Sequence, residues 1–526
     1  MSISAEQLSM NGRQAMRYGD WKVVNACAME LMRILPNNPE GYFLKGKCEK
    51  ADKQVINAIK SFEKALEIDE NRHDAAIELA SQYVMSLRNK ETIVLLEQYK
   101  EHLSNSPRYL DMAGTIYTDI GMANRALPFY RKAVGLQPDI ELFNANLAAC
   151  LVFAGEIEEA KGIYQSLLEK HPNHQRNHYH LARLDRAKDD GHIKKMKSVL
   201  ENTQLAPSMN VFIHYALAKE LEDLGRWDES YQHYELAGDG ATSVANYDIE
   251  QDEILLEKIT EVCSEEWLNE STEIKTDITD KTPVFVLGLP RTGTTLTERI
   301  LSSHSQIESI GETKYMESIL RTQSAVPSLE KMIPQMIDSL RSKDIGEIAN
   351  NYLNSVNYLC GDKPMFIEKL PYNFLYIGFI AKAYPDARII HLKRNPMDSC
   401  FAIYKQPFSW AYKFSYNLET LARYYIAHDK LSAHWKALLG DRIIEIEYEE
   451  LVGDQENQTR ILLDKLGLDF EEACLNFDQN QSASMTASSV QVREKIHSRS
   501  VHRWKRFESQ LQPLKNALLA AGISVD

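Results

Sequence analysis

Little in this sequence breaks a helix: 526 residues hold only 23 glycines and 17 prolines, below the usual share of both. That scarcity excludes collagen-like and turn-rich all-β architectures and points to long helical stretches. Cysteine is sparse as well. The seven (Cys27, Cys48, Cys150, Cys263, Cys360, Cys400 and Cys474) are odd in number and never spaced as a metal knuckle or CxxC pair, so they read as free thiols of a reducing compartment. No apolar run nears the ~20 residues that span a bilayer, and no basic stretch leads into an apolar core at the N-terminus. The expected setting is cytoplasmic, with no membrane partner. Positive charge is also short, 60 Lys and Arg against 75 Asp and Glu for a net −15, which argues against nucleic acid but leaves room for a local basic pocket. Hydrophobic residues at 44% and charged residues at 26% are those of a soluble folded chain, long enough for two to four domains of ~150 residues each.

Self-similarity fills the first half. Gly121 and Gly155, Ala126 and Ala160, Tyr130 and Tyr164, and Pro138 and Pro172 are each 34 residues apart. Gly46, Ala58, Phe62 and Ala65 match Gly114, Ala126, Tyr130 and Ala133 at twice that period, which predicts units starting near 5, 39, 73, 107 and 141. The stretch 175–208 is degenerate, but Ala218, Gly225, Tyr234 and Ala237 restore the pattern after a two-residue insertion, ending near 240. The array resembles the tetratricopeptide repeat: a small residue where paired helices touch, an aromatic in the groove, and a proline after the second helix. The resemblance implies an all-α solenoid over 1–240 with a concave groove, either a binding surface for a protein or peptide or a scaffold and dimerisation element. No oligomeric state follows from it. His174, His178 and His180 have no further ligands at matching spacing, so they are expected to be solvated and to hold no metal.

Residues 241–280 read as a charged connecting helix and linker, and 281–526 as a second domain. In it the short apolar strand Val284-Phe285-Val286-Leu287 runs into Gly288-Leu289-Pro290-Arg291-Thr292-Gly293-Thr294-Thr295 and an apolar helix. Strand, loop and helix aim backbone N–H groups at phosphate. The pattern is that of a P-loop in which Thr294 replaces the lysine, so the cation at hand is Arg291. This loop resembles the 5′-phosphosulfate loop of sulfotransferases that use 3′-phosphoadenosine 5′-phosphosulfate (PAPS), most closely the tyrosylprotein sulfotransferase type. The likeness extends to Gly311-Glu312-Thr313, Glu368-Lys369-Leu370-Pro371, Lys393-Arg394-Asn395-Pro396, Tyr448, and Ser488 ahead of Arg503-Trp504.

The resemblance implies an α/β P-loop-like domain with a parallel sheet and a donor, PAPS, handled without metal. It implies Glu312 as the base for the acceptor hydroxyl, Arg291 and Lys369 as sulfuryl-polarising cations, and Ser488 as a further active-site residue. For the nucleotide it implies Arg291, Thr292, Gly293, Thr294 and Thr295 at the 5′ end, Arg394 on the 3′-phosphate, and Tyr448 and Arg503 as further contacts. The sequence departs from the family where a serine eight residues after Arg394 is expected: position 402 is Ala402, leaving Ser399 or a basic residue to compensate. Fusion to the repeats makes a protein hydroxyl, tyrosine foremost, the expected acceptor. The competing readings are a P-loop kinase, which the missing lysine disfavours, and a repeat scaffold carrying an inactive domain.

Overall fold

The computed structural model describes residues 4–203, 205–270, 281–326, 331–408 and 410–526. The chain divides into two compact units, Met1–Ala154 and Gly155–Asp526.

In the first unit, helices begin at Ala5, Pro39, His73, Pro107 and Glu141, the register set by the 34-residue period. Local chemistry fixes two of these starts: Asn38 and Ser106 each accept a hydrogen bond from the first turn (from Glu40 N at 2.9 Å and Tyr109 N at 3.4 Å), and a proline follows each cap. The repeated glycine is a packing requirement. A Cβ at Gly46 would stand 2.7 Å from Phe62 and one at Gly114 2.7 Å from Tyr130, so the paired helices approach only because the side chain is missing.

In the second unit the repeat pattern runs on through helices Ile157–Lys170, Gln175–Leu184, Gly191–Thr203, Val211–Asp223 and Trp227–Ala245. The periodicity thus ends near 245, whereas compactness changes at 154. Within the predicted connecting segment, helices Ile249–Val262 and Glu265–Asn269 follow, and residues 271–280 lie outside the described ones. His178 departs from expectation: it is buried, hydrogen-bonded to His192 at 2.8 Å and to the Pro172 carbonyl at 2.7 Å, because its helix turns it inward between neighbours.

The remainder is a sheet of five parallel strands: β1 (Thr282–Gly288), β2 (Ile307–Gly311), β3 (Met365–Lys369), β4 (Arg388–Lys393) and β5 (Ile443–Glu447), in the order β2-β3-β1-β4-β5. β1 is central, and Val284, Phe285, Val286 and Leu287 are all fully buried, as an apolar run covered on both faces must be. Because the strands are parallel, their carboxyl ends lie on one edge, and the order turns around β1, where ligands of open α/β sheets bind.

Candidate functional site

Each strand delivers one candidate residue to that edge. Arg291 follows β1, Glu312 follows β2, Lys369 ends β3, Arg394 follows β4, and Tyr448 follows β5. The spacing along the chain is wide, but parallel topology gathers all five.

The loop after β1 is shaped for an anion. Gly293 has φ 104° and caps the helix Thr294–Ser302, and a Cβ there would meet the Tyr448 ring at 2.7 Å. Arg291 also takes a positive φ, 68°, a conformation costly for a side-chain-bearing residue and typical of functional turns. Thr292 closes the turn by donating to the Leu289 carbonyl at 2.7 Å, while Thr294 and Thr295 lie buried in the first helical turn. The helix N-terminus leaves N–H groups free to donate.

The guanidinium of Arg291 donates to Ser488 Oγ and, at 2.7 Å, to Gln491 Oε1. Arg394 donates to the carbonyls of Arg291 (2.8 Å) and Ser500 (2.7 Å) and lies 4.8 Å from the centre of the Tyr448 ring. Tyr448 is fixed in turn by a 2.7 Å hydrogen bond with Ser500. Neither guanidinium faces a carboxylate among the described residues. Burial, then the like charges of Arg183 and Arg394, push Arg291 down to about 10. Nε of Arg291, Nε of Arg394 and Oγ of Ser399 are buried without partners. Two or more cations with spare donors and no acid are the signature of a pocket for a multiply charged anion.

Glu312 and Lys369 form the other half. Lys369, only 1% exposed, donates to Glu312 Oε1 and stands 3.7 Å from Glu298. Burial works against its charge, but the two carboxylates outweigh it and raise its pKa. The next residue back, Glu368, accepts from Thr313 at 2.5 Å and from Tyr352, and burial pushes it up to about 7 against those bonds. Adjacent residues of β3 therefore grip adjacent residues of the Glu312 turn, which fixes the carboxylate relative to the sheet.

Arg503 Nε stands 2.5 Å from Glu222 Oε1. Sequence reasoning also passed over Glu298, Arg183 and Glu368. Arg183 donates to the Ala487 carbonyl at 2.7 Å, beside Ser488, from a helix 304 positions away, and no spacing rule reaches that far. Glu368 did carry a signal, a carboxylate inside the apolar strand Met365-Phe366-Ile367. Among the described residues no group of three or more His, Cys, Asp or Glu is placed to hold a metal, and no helix is long and apolar enough to cross a membrane.

Comparison with known proteins places names beside this geometry. Residues 283–472 match the model of the sulfotransferase family, and residues 39–72 and 120–184 match tetratricopeptide-repeat models. An uncharacterized protein of Aquifex aeolicus (strain VF5) is 28% identical over 421 residues, 79% of this chain and 55% of that protein. Protein-tyrosine sulfotransferase 1 of Danio rerio is 25% identical over 206 residues, 37% of this chain and 56% of that protein. The chain thus spans just over half the length of these relatives. Among solved structures, the sulfotransferase domain from the Synechococcus PCC 7002 olefin synthase aligns over 45% of this chain and 91% of its own, at 18% identity and a TM-score of 0.32.

Proposed function

We propose, for a chain that carries a sulfotransferase-family domain together with tetratricopeptide repeats, that it moves the sulfuryl group of PAPS to an acceptor hydroxyl, with a tyrosine of a protein or peptide as the acceptor. The observation that carries this reading is the meeting of Glu312 with Lys369 beside an anion loop whose cation is an arginine. The residues fit the donor, since the unpartnered Nε atoms of Arg291 and Arg394 supply donors for its two charged ends. When bound, PAPS supplies the sulfuryl group and leaves as 3′-phosphoadenosine 5′-phosphate (PAP).

The chain's part is placement and charge. The Gly293 to Thr295 turn and Arg291 hold the 5′ end, Arg394 takes the 3′-phosphate, and the Tyr448 ring closes over Gly293. Ser488 sets the Arg291 fork. Glu312 accepts the acceptor's hydroxyl proton, and Lys369 turns from Glu312 toward the oxygens that gain negative charge. An aromatic acceptor is supported by the surface next to Lys369: Tyr372 stacks on Tyr412 at 4.8 Å with planes 4° apart, and Phe408 meets Tyr412 edge-on at 4.8 Å. Burial, and then the charge of Glu312, push the Tyr412 hydroxyl up.

Calorimetry with PAP and with ATP tests the donor. PAP is expected to bind and ATP to be neither bound tightly nor hydrolysed, because Thr294 stands where a γ-phosphate lysine would be. Magnesium-dependent ATP turnover with no affinity for PAP would reverse the assignment in favour of a kinase. Arg394→Ala is expected to weaken PAP binding by roughly 1.5–3 kcal/mol, one charged hydrogen-bonding partner. A turnover defect with unchanged PAP affinity would remove Arg394 from the nucleotide site.

A further inference from the structure

The helix Gln175–Leu184 belongs to the degenerate stretch of the array, and two of its departures from the repeat share a direction. Where the preceding unit has Ala145 and Ala149, this helix has Tyr179 and Arg183, four residues apart and therefore on one face. Both bond to residues more than 200 positions further on: the Tyr179 hydroxyl donates to Gln406 Oε1 at 3.4 Å, and Arg183 Nη2 donates to the Ala487 carbonyl at 2.7 Å. The Arg183 guanidinium also lies 5.2 Å from the centre of the Tyr179 ring, which braces it.

Ala487 immediately precedes Ser488, whose Oγ accepts from Arg291, while Gln491 Oε1 accepts from the other arm of the same guanidinium at 2.7 Å. The turn is closed by its own bonds, Ser488 N to Thr486 Oγ1 at 3.1 Å and Val492 N to the Ser488 carbonyl at 3.1 Å, and Thr295 of the anion loop reaches Thr486 at 3.4 Å. A turn that rested only on the loop it orients would add little rigidity, so its outside anchors matter. The repeats supply two. Besides Arg183, the repeat turn at Gly155 leaves room for the guanidinium of Arg493, into which a Cβ at 155 would run. At Gly121, one period earlier and with a similar φ (84° against 91°), a Cβ would meet nothing within 4 Å, so this packing is particular to the unit beside the 487–493 segment. Gly155, Arg183 and the segment all belong to the same compact unit.

We propose that Arg183 is a positioning residue for sulfuryl transfer: a repeat helix clamps the Ala487–Ser488 turn, and that turn aims the fork of Arg291. This rests on the sulfotransferase reading above. The array is then part of the catalytic assembly, and its degenerate unit is the one adapted to that task.

Turnover and amide hydrogen exchange, both on the full chain, test this. Arg183→Met is expected to lower kcat ~10- to 100-fold, the scale of a small misplacement of a reacting group, with KM for the acceptor held within ~3-fold. Exchange should quicken at Ser488, Ser489 and Val492, whose amides the turn protects, while helix 175–184 keeps its wild-type protection. Arg183→Lys, which keeps a charged donor, is expected to restore most of the rate. In a Ser488→Ala chain, where the link to Arg291 is already cut, Arg183→Met is expected to cost no more than ~3-fold. Should Arg183→Met not fold, Arg183→Gln, whose shorter amide stops short of the carbonyl, carries the same expectations. Losses that add independently of Ser488, or unchanged kcat or unchanged exchange in a folded variant, would overturn the inference. A wild-type chain that transfers no sulfuryl group would instead reject the sulfotransferase reading, and the exchange comparison would still decide whether the repeat helix holds the turn.

Discussion

Glutamine in place of Glu312 is expected to leave fold and donor affinity intact and to cut kcat at least ~100-fold. The carboxylate stands just after β2, its side chain 39% exposed, with Lys369 on one oxygen and the neighbouring Thr313 locked onto Glu368. Glutamine has the same shape and keeps an oxygen for Lys369, but it takes no proton. The signature is an equal fall in kcat and kcat/KM beside an unchanged Kd for PAP, which marks an interaction made only in the transition state. Turnover at the wild-type rate would strike Glu312 from the mechanism.

Lys369→Met should cost about as much or more, ~10²–10³-fold in kcat, because a buried cation aimed at developing negative charge acts in a medium that screens it poorly. The substitution also leaves Glu312 and Glu298 without the ammonium between them, so the thermal midpoint is expected to drop as well. The two effects are separated by measuring turnover well below that midpoint. Lys369→Arg is expected to recover stability more than rate, since a wider guanidinium has little room at a site only 1% exposed. If kcat in Lys369→Met falls no further than the folded fraction, Lys369 is an ion-pair residue and no more.

What was legible in the sequence follows what is local. The array could be read because a small residue recurs every 34 residues where paired helices touch, Ala80 and Ala148 alternating with Gly46 and Gly114, and the two glycines clear the rings of Phe62 and Tyr130. The degenerate stretch 175–208 gave no sign that His178 is buried, because the partner that turns it inward, His192, matches no repeat position. The strand-end residues were legible for a related reason: Arg291, Glu312, Lys369 and Arg394 each sit in a short motif whose neighbours make the strand and turn. Contacts such as Glu222 with Lys405, 183 residues apart, leave no periodic or compositional trace, and a lone glutamate late in a repeat helix reads as a solvated charge until the fold buries it. The same limit applies to the contact of Arg503 with Glu222, 281 residues apart.

Sulfuryl transfer itself is the most direct test. The full chain is incubated with PAPS labelled at sulfur and a tyrosine-containing protein or peptide, and the label is located by chemical class alongside PAP release. Label on tyrosine hydroxyls, matched mole for mole by PAP and abolished in a Glu312→Gln chain that still binds PAP, is the expected result. A wild-type chain that binds PAP yet labels no acceptor would contradict it and leave a repeat scaffold with an inactive sulfotransferase-like domain.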